Sequence, residues 1–235
     1  MKYNFSEMIL YEDNHLLVVH KPANLLSQED NTKDLDLVNL AKAFLKVKYN
    51  KPGNVYVGLV HRLDRMTEGI LVLAKTSKAA GRLSEQIRNQ EWIKEYVAVV
   101  EGEINDTRKL THYINHIDNT KKMTQAKYGE GQKAELFFDV LAKNDRNTVV
   151  SVKLITGRHH QIRVQFSLFG HPLIGDMLYG TGKKHDLMLC CYKLTIKHPI
   201  TNEVMTFETT PKNKVWNKYL DIKLLNTCKK SINIV

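Results

Sequence analysis

Residues 70–74, ILVLA, are apolar without a break, and VYVGLV at 55–60 is nearly so. Runs this short, with no polar alternation, predict strands buried on both faces. The polar segment between them, HRLDRMTEG (61–69), is then a nine-residue loop at the rim of a core. Asp64 stands in it between Arg62 and Arg65. Asp is a poor strand former and costly to bury, but at a rim a carboxylate is dry enough to react and still reaches a ligand. The plainer use of such an Asp is to cap its own turn. Gly69 is expected to let the chain re-enter the sheet, with Glu68 beside it exposed.

The remaining pattern predicts a mixed α+β domain with a largely antiparallel central sheet and flanking helices. MILYEDNHLLVVHKPANLLS reads as two strands joined at Asp13-Asn14, then a turn at Pro22 with Asn24 suited to a left-handed conformation. DLVNLAKAFLKVKYN has Leu37, Leu40, Ala41, Leu45 and Val47 near helical spacing. TSKAAGRLSEQIRNQ is a second helix with Thr76 or Ser77 as N-cap. EWIKEYVAVVEGEI is a strand ending at Gly102, residues 109–156 hold several strands and turns, and RHHQIRVQFSLFG is a helix closed by Gly170. A last hairpin turns at His198-Pro199. With 235 residues and no linker-like tract, one domain over 1–235 is expected.

No apolar run is long enough for a bilayer, and the first residues lack the apolar core of a signal peptide. Three cysteines, Cys190 and Cys191 adjacent, make a poor disulfide framework. They point to a reducing, cytoplasmic setting. The net charge of +10 is uneven: residues 1–120 carry 16 basic and 16 acidic residues, and residues 121–235 carry 19 and 9. A basic half beside a neutral one suggests a polyanion, with nucleic acid the first candidate. Only 8 of the 35 basic residues are arginine, yet Arg62, Arg65, Arg158 and Arg163 fall in two short segments. The planar fork of Arg suits carboxylate and phosphate in a way Lys does not.

Taken together, HRLDRMTEGILVLAK, KEYVAVVEG and TGRHHQIRVQFSLFGHPLIGDMLYG resemble the RNA pseudouridine synthases related to RluA, from about residue 9 to about residue 210. The resemblance implies a sheet-based α+β catalytic fold. It also implies isomerisation of uridine to pseudouridine in ribosomal or transfer RNA, without metal or cofactor. It places the essential aspartate on Asp64, the active-site tyrosine on Tyr96 and the basic partner of the aspartate on Arg163. Arg62 matches a position that helps hold the substrate turned out of its stack, and His61, Thr67, Arg158, His160 and Gln161 fall among the substrate-binding positions. The small RNA-binding domain that often precedes the catalytic one is expected to be missing, and a monomer is the default expectation. Glu68 stands where Ser is common, Gln165 where His is common, and Cys190-Cys191 where His-Ala is frequent.

The chemistry fits the residues. A glycosidic bond can be broken without a metal by a nucleophile or a base acting on the sugar, and a carboxylate can be either. Drying the site would neutralise that carboxylate, and a paired guanidinium counters the shift. The aromatic ring of Tyr96 suits packing on uracil. A base in structured RNA must be extracted first, and Lys121, Lys122, Lys183, Lys184, Lys229 and Lys230 are expected to hold the backbone. His159, His160 and the cysteine pair lack metal-ligand spacing. YGTGKK fails as a phosphate loop, because Met177 replaces its first Gly and Lys184 its Ser/Thr. A hydrolase using Asp64 would need a second carboxylate, for which the loops offer mainly Glu68. An RNA-binding protein without catalysis is the other rival.

Overall fold

The structure, a computed structural model, describes residues 3–117, 120, 122–144, 146–181 and 186–219. In chain order the elements are β1 (Ile9–Glu12), β2 (Leu16–Lys21), α1 (Leu37–Lys48), β3 (Gly58–Leu59), β4 (Glu68–Ala74), α2 (Ser77–Arg88) and β5 (Ile93–Glu101). There follow β6 (Arg108–His116), β7 (Met123–Gln125), β8 (Gln132–Lys143), β9 (Asn147–Leu154), α3 (Gln161–Leu168), β10 (Leu189–Lys197) and β11 (Val204–Glu208). This is the α+β architecture expected, largely antiparallel strands with three α-helices. The described residues group into two compact units: 3–94 with 191–209, and 95–190 with 210–219.

In the first unit the strand order is β1-β2-β4-β10, with β3 on β4 and β11 on β10. All seven residues of β4 are buried, as a continuous apolar run requires. Asp13 makes the β1–β2 turn: its Oδ1 accepts from the amides of His15 and Leu16, each at 2.6 Å. The antiparallel register then sets Lys21 opposite Gly69 and His20 opposite Ile70. Helix α1 buries Leu37, Ala41 and Leu45, and Asp36 caps it by accepting from the Asn39 amide. Thr76 caps α2 in the same way.

Three expectations need correction here. The 55–60 run pairs only through Gly58–Leu59. Val55 and Val57 are buried while Tyr56 is exposed, so the segment is a one-sided edge rather than a doubly buried strand. Val47, in the last turn of α1, is 84% exposed, because it lies on the side of the helix away from the buried Leu37, Ala41 and Leu45. The loop after residue 60 ends at Thr67, since Glu68 and Gly69 already belong to β4.

In the second unit the order is β5-β9-β8-β6-β7. β6, β8 and β9 pair antiparallel, with a register shift at Val140/Ala142 in β8. The core cluster Ile114, Met123, Ala134 and Val164, with Tyr179 against it, seats α3 on β6, β7 and β8. The helix starts at Gln161 rather than at 158, because His160 stands at φ 51°, outside helical backbone. Among the described residues no helix is long and apolar enough to cross a membrane.

Candidate active site

Within the first unit, the loop carrying Asp64 is fastened by the KPANLLS segment. The Ser27 hydroxyl donates to the Leu63 carbonyl at 2.6 Å and accepts from the Leu63 amide at 3.3 Å. Asn24, at φ 66° as its sequence suggested, donates its amide to the Arg65 carbonyl at 2.9 Å. The same carbonyl accepts from Lys21 Nζ at 3.2 Å, and Lys21 also donates to the carbonyls of Pro22 (3.0 Å) and Leu25 (2.8 Å). Two residues that flank Asp64 are therefore held by three side chains or amides from one short segment. Asp64 itself is half-buried, at the rim as expected, and its carbonyl accepts from the Thr67 amide at 3.0 Å.

Lys21 is wholly buried. Burial pushes its ammonium down to about 7, against the opposing pull of the Asp64 and Glu68 charges; Arg65 pushes it further down. Sequence alone gave no role to this lysine, and its only signal was its place at the end of an apolar strand. Glu68, expected to be exposed, is buried as the first residue of β4, with Oε2 3.4 Å from His20 Nε2. The other ring nitrogen of His20 lies 2.9 Å from the Thr209 hydroxyl. Pairing with β2 carries Glu68 inward, which a loop reading of 61–69 missed.

The other calls in this loop fall in different surroundings. His61 accepts the Val72 amide on Nε2 at 2.9 Å and sits edge-on to Trp92 at 4.9 Å. Burial, and then the charge of Lys94, holds its pKa well below the ordinary histidine value, so the ring is neutral. Arg62 is exposed. Thr67 is buried, and its hydroxyl has no hydrogen-bond partner among the described residues. Arg65 pairs with Asp34 at 2.7 Å across partly exposed side chains.

Within the second unit, Tyr96 lies buried on β5. Arg163, on α3, is gripped by Asp176: Nε donates to Oδ2 at 2.7 Å and Nη2 to Oδ1 at 2.8 Å. Both residues are buried. Burial raises the Asp176 pKa, but the bonds and charge of Arg163, with the amides of Leu178 and Tyr179, outweigh it and hold the carboxyl below its ordinary range. The guanidinium also lies 5.2 Å from the Tyr179 ring centroid. Asp176 and Tyr179 were not found from the sequence, although both lie in the quoted HPLIGDMLYG stretch.

Gln161 is buried, and its amide is used locally: Oε1 accepts from the Thr156 hydroxyl and the Arg158 amide, and Nε2 donates to the Glu135 carbonyl. It shapes the loop before α3. Arg158 is exposed and donates Nε to the Lys133 carbonyl at 3.0 Å. His160 Nδ1 is 2.9 Å from the Tyr179 hydroxyl. Gln165 is buried and donates to the carbonyls of Leu110 and Ala134, tying α3 to β6 and β8. Cys190 and Cys191 are both buried. Lys122 is exposed, whereas Lys121, Lys183, Lys184, Lys229 and Lys230 lie outside the described residues.

The pattern of the family described as RNA pseudouridylate synthase matches residues 15–168, and the chain belongs to that family. It is an isomerase that converts uridine to pseudouridine in RNA, and among such enzymes it is of the RluA type. It is 36% identical over 211 residues to the dual-specificity RNA pseudouridine synthase RluA of Haemophilus ducreyi, covering 86% of this chain and 92% of that protein. The Escherichia coli protein of the same description is 33% identical over 210 residues, covering 86% and 91%. The solved structure of human RNA pseudouridylate synthase domain containing 4 shares the fold at TM-score 0.74, with 21% identity and 89% and 90% of the two chains covered. That of domain containing 1 gives TM-score 0.67, 26% identity, and 86% and 82%.

Proposed function

We propose that Asp64 is the group that acts on the target uridine, and that Arg163 pairs with it and keeps it ionised. The observation that carries the reading is the clamp: Lys21, Asn24 and Ser27 fix the backbone on both sides of a half-buried carboxylate. Catalysis by position needs such fixing, because misplacement of about 1 Å can cost as much as 10²-fold in rate. Asp176 already engages Nε and Nη2 of Arg163, and pairing with Asp64 would use the Nη1 side. A guanidinium between two carboxylates would orient one while the other holds it still.

In this reading the target base is turned out of its stack, Arg62 fills the space left behind, and the ring of Tyr96 packs on uracil while its hydroxyl assists late proton removal. The bond from sugar to ring nitrogen breaks, a bond from sugar to ring carbon forms, and the proton lost from that carbon is matched by one gained at the freed nitrogen, so no atoms are gained or lost overall. His61, Thr67, Arg158, His160 and Gln161 shape the substrate site. Ribosomal or transfer RNA is the substrate, no cofactor takes part, and residues 1–235 act as one catalytic domain of a cytoplasmic monomer.

Mapping pseudouridine in total RNA, with and without the protein, tests this. Wild type adds sites, Asp64→Asn adds none, and no free uracil is released. Full activity of Asp64→Asn would reject the assignment, and free uracil would favour hydrolysis.

A further inference from the structure

Three imidazoles form a ladder in the second unit. The rings of His159 and His160 stack with centroids 3.8 Å apart and planes 24° apart. His116, at the end of β6, extends the ladder, its ring at 17° to that of His159 and 5.9 Å away. His116 and His159 are exposed. The inner end is anchored: His160 stands at φ 51°, and its Nδ1 lies 2.9 Å from the Tyr179 hydroxyl, whose oxygen accepts from the Met123 amide at 2.8 Å. Stacked rings at the surface bury little apolar area, so folding gains little from them. They do present flat, pre-oriented faces.

Two cations lie on the same unit near the ladder. Lys122 Nζ lies 5.9 Å from the Tyr179 ring centroid. Arg158, next to His159, is exposed and fixed through Nε. The acid on β8, Glu135, is matched by Lys109 at 2.6 Å and Lys133 at 3.1 Å. Flat ring faces beside cations suit a base with its phosphate, and only an unpaired base exposes its face for stacking. We propose that the His116–His159–His160 ladder is the stacking platform for an unpaired base of the RNA substrate. The inference rests on the reading of ribosomal or transfer RNA as the substrate. Because the rings are pre-oriented, little side-chain entropy is lost on binding.

The test uses the full chain, a short RNA hairpin carrying 2-aminopurine in its loop, and the matching duplex with that base paired. Stacking on the ladder should quench the loop fluorophore and leave the emission of the duplex, already low from stacking within it, unchanged. His159→Ala should weaken hairpin binding between about 5- and 150-fold, the usual range for losing one stacked base, and abolish the quench. His159→Phe keeps a flat ring and should restore both. His116→Ala, on a separate strand, should weaken binding in the same direction, and it decides the matter if His159→Ala does not fold. Wild-type affinity and quench in the alanine variants would overturn the platform, as would a Phe variant no better than Ala. Pseudouridine formation in total RNA, measured alongside, separates the two readings. Wild-type protein that quenches the hairpin but makes no pseudouridine sinks the Asp64 assignment alone. Pseudouridine made with binding indifferent to His159 and His116 sinks the platform alone.

Discussion

Asp176 holds Arg163 through two parallel bonds of 2.7 and 2.8 Å in a buried setting. A planar fork met by a carboxylate in this way has one orientation, and Lys at position 163 could not copy it. Asp176→Asn keeps the shape but removes the charged half of a buried bidentate pair, a loss of about 3–5 kcal/mol. The folded-state pKa of Asp176 is depressed. Its contribution is therefore present above the unfolded carboxyl pKa and lost as pH falls through the folded value. Chemical denaturation from neutral to acid pH should show wild type losing stability to acid more steeply than Asp176→Asn. Equal slopes would mean the pair adds nothing to folding.

Ser27 offers a test of the clamp that leaves every proposed reacting group in place. Its hydroxyl both donates to and accepts from the backbone of Leu63, one residue before Asp64. Ser27→Ala leaves that buried amide and carbonyl without this partner and should cost about 1–3 kcal/mol. If the clamp positions the carboxylate, single-turnover rate at saturating RNA falls roughly tenfold even at temperatures where the variant is fully folded. A destabilised variant with the wild-type rate would show that the bond serves folding only.

What the sequence disclosed follows from range. Most of β4 was legible because the five consecutive apolar residues 70–74 need no knowledge of partners, and Thr76 because a cap acts three residues away. The HRLDR loop and the basic helix segment stood out by residue type, through arginines in a chain that otherwise uses lysine. The partners were not. Arg163 finds Asp176 thirteen residues on, across a turn no periodicity describes. Lys21 meets Arg65 at a separation of 44 residues, and a lysine ending a strand reads as surface. Glu68 was misplaced for a related reason: a strand edge shifted by two residues turned a rim position into a core one.

Gly69 and Gly81 make a matched pair. Gly69 sits at φ 118° in β4, and a Cβ there would lie 2.3 Å from the Cys191 carbonyl oxygen, a backbone atom that cannot swing aside. Gly81 lies exposed in α2 with nothing within 4 Å of a built Cβ. Gly69→Ala should cost well over 3 kcal/mol, combining a clash with forbidden backbone, and should yield little folded protein. Gly81→Ala should stabilise by about 0.5–1 kcal/mol through helix propensity. Melting temperatures moving in opposite directions check both. A well-folded Gly69→Ala would mean that β4 and Cys191 do not approach this closely.

Lys21 makes the last prediction, and its sign is fixed by burial. Its folded pKa is about 7, against about 10.4 in an unfolded chain. Between those values the unfolded state binds more protons, so stability rises with pH across the window and levels off above it. The full difference is of order 4–5 kcal/mol, at about 1.4 kcal/mol per pH unit. Lys21→Met keeps the length of the chain and removes the titration, at the cost of the bonds to the Pro22, Leu25 and Arg65 carbonyls. Denaturation curves between about pH 6.5 and 9.5 should give a wild-type stability that climbs and a Lys21→Met stability lacking that rise. Other groups titrate in this range and appear in both proteins, so the difference between the curves isolates Lys21. Parallel curves would place the Lys21 pKa near its solution value and remove the desolvated ammonium from beneath the Asp64 loop.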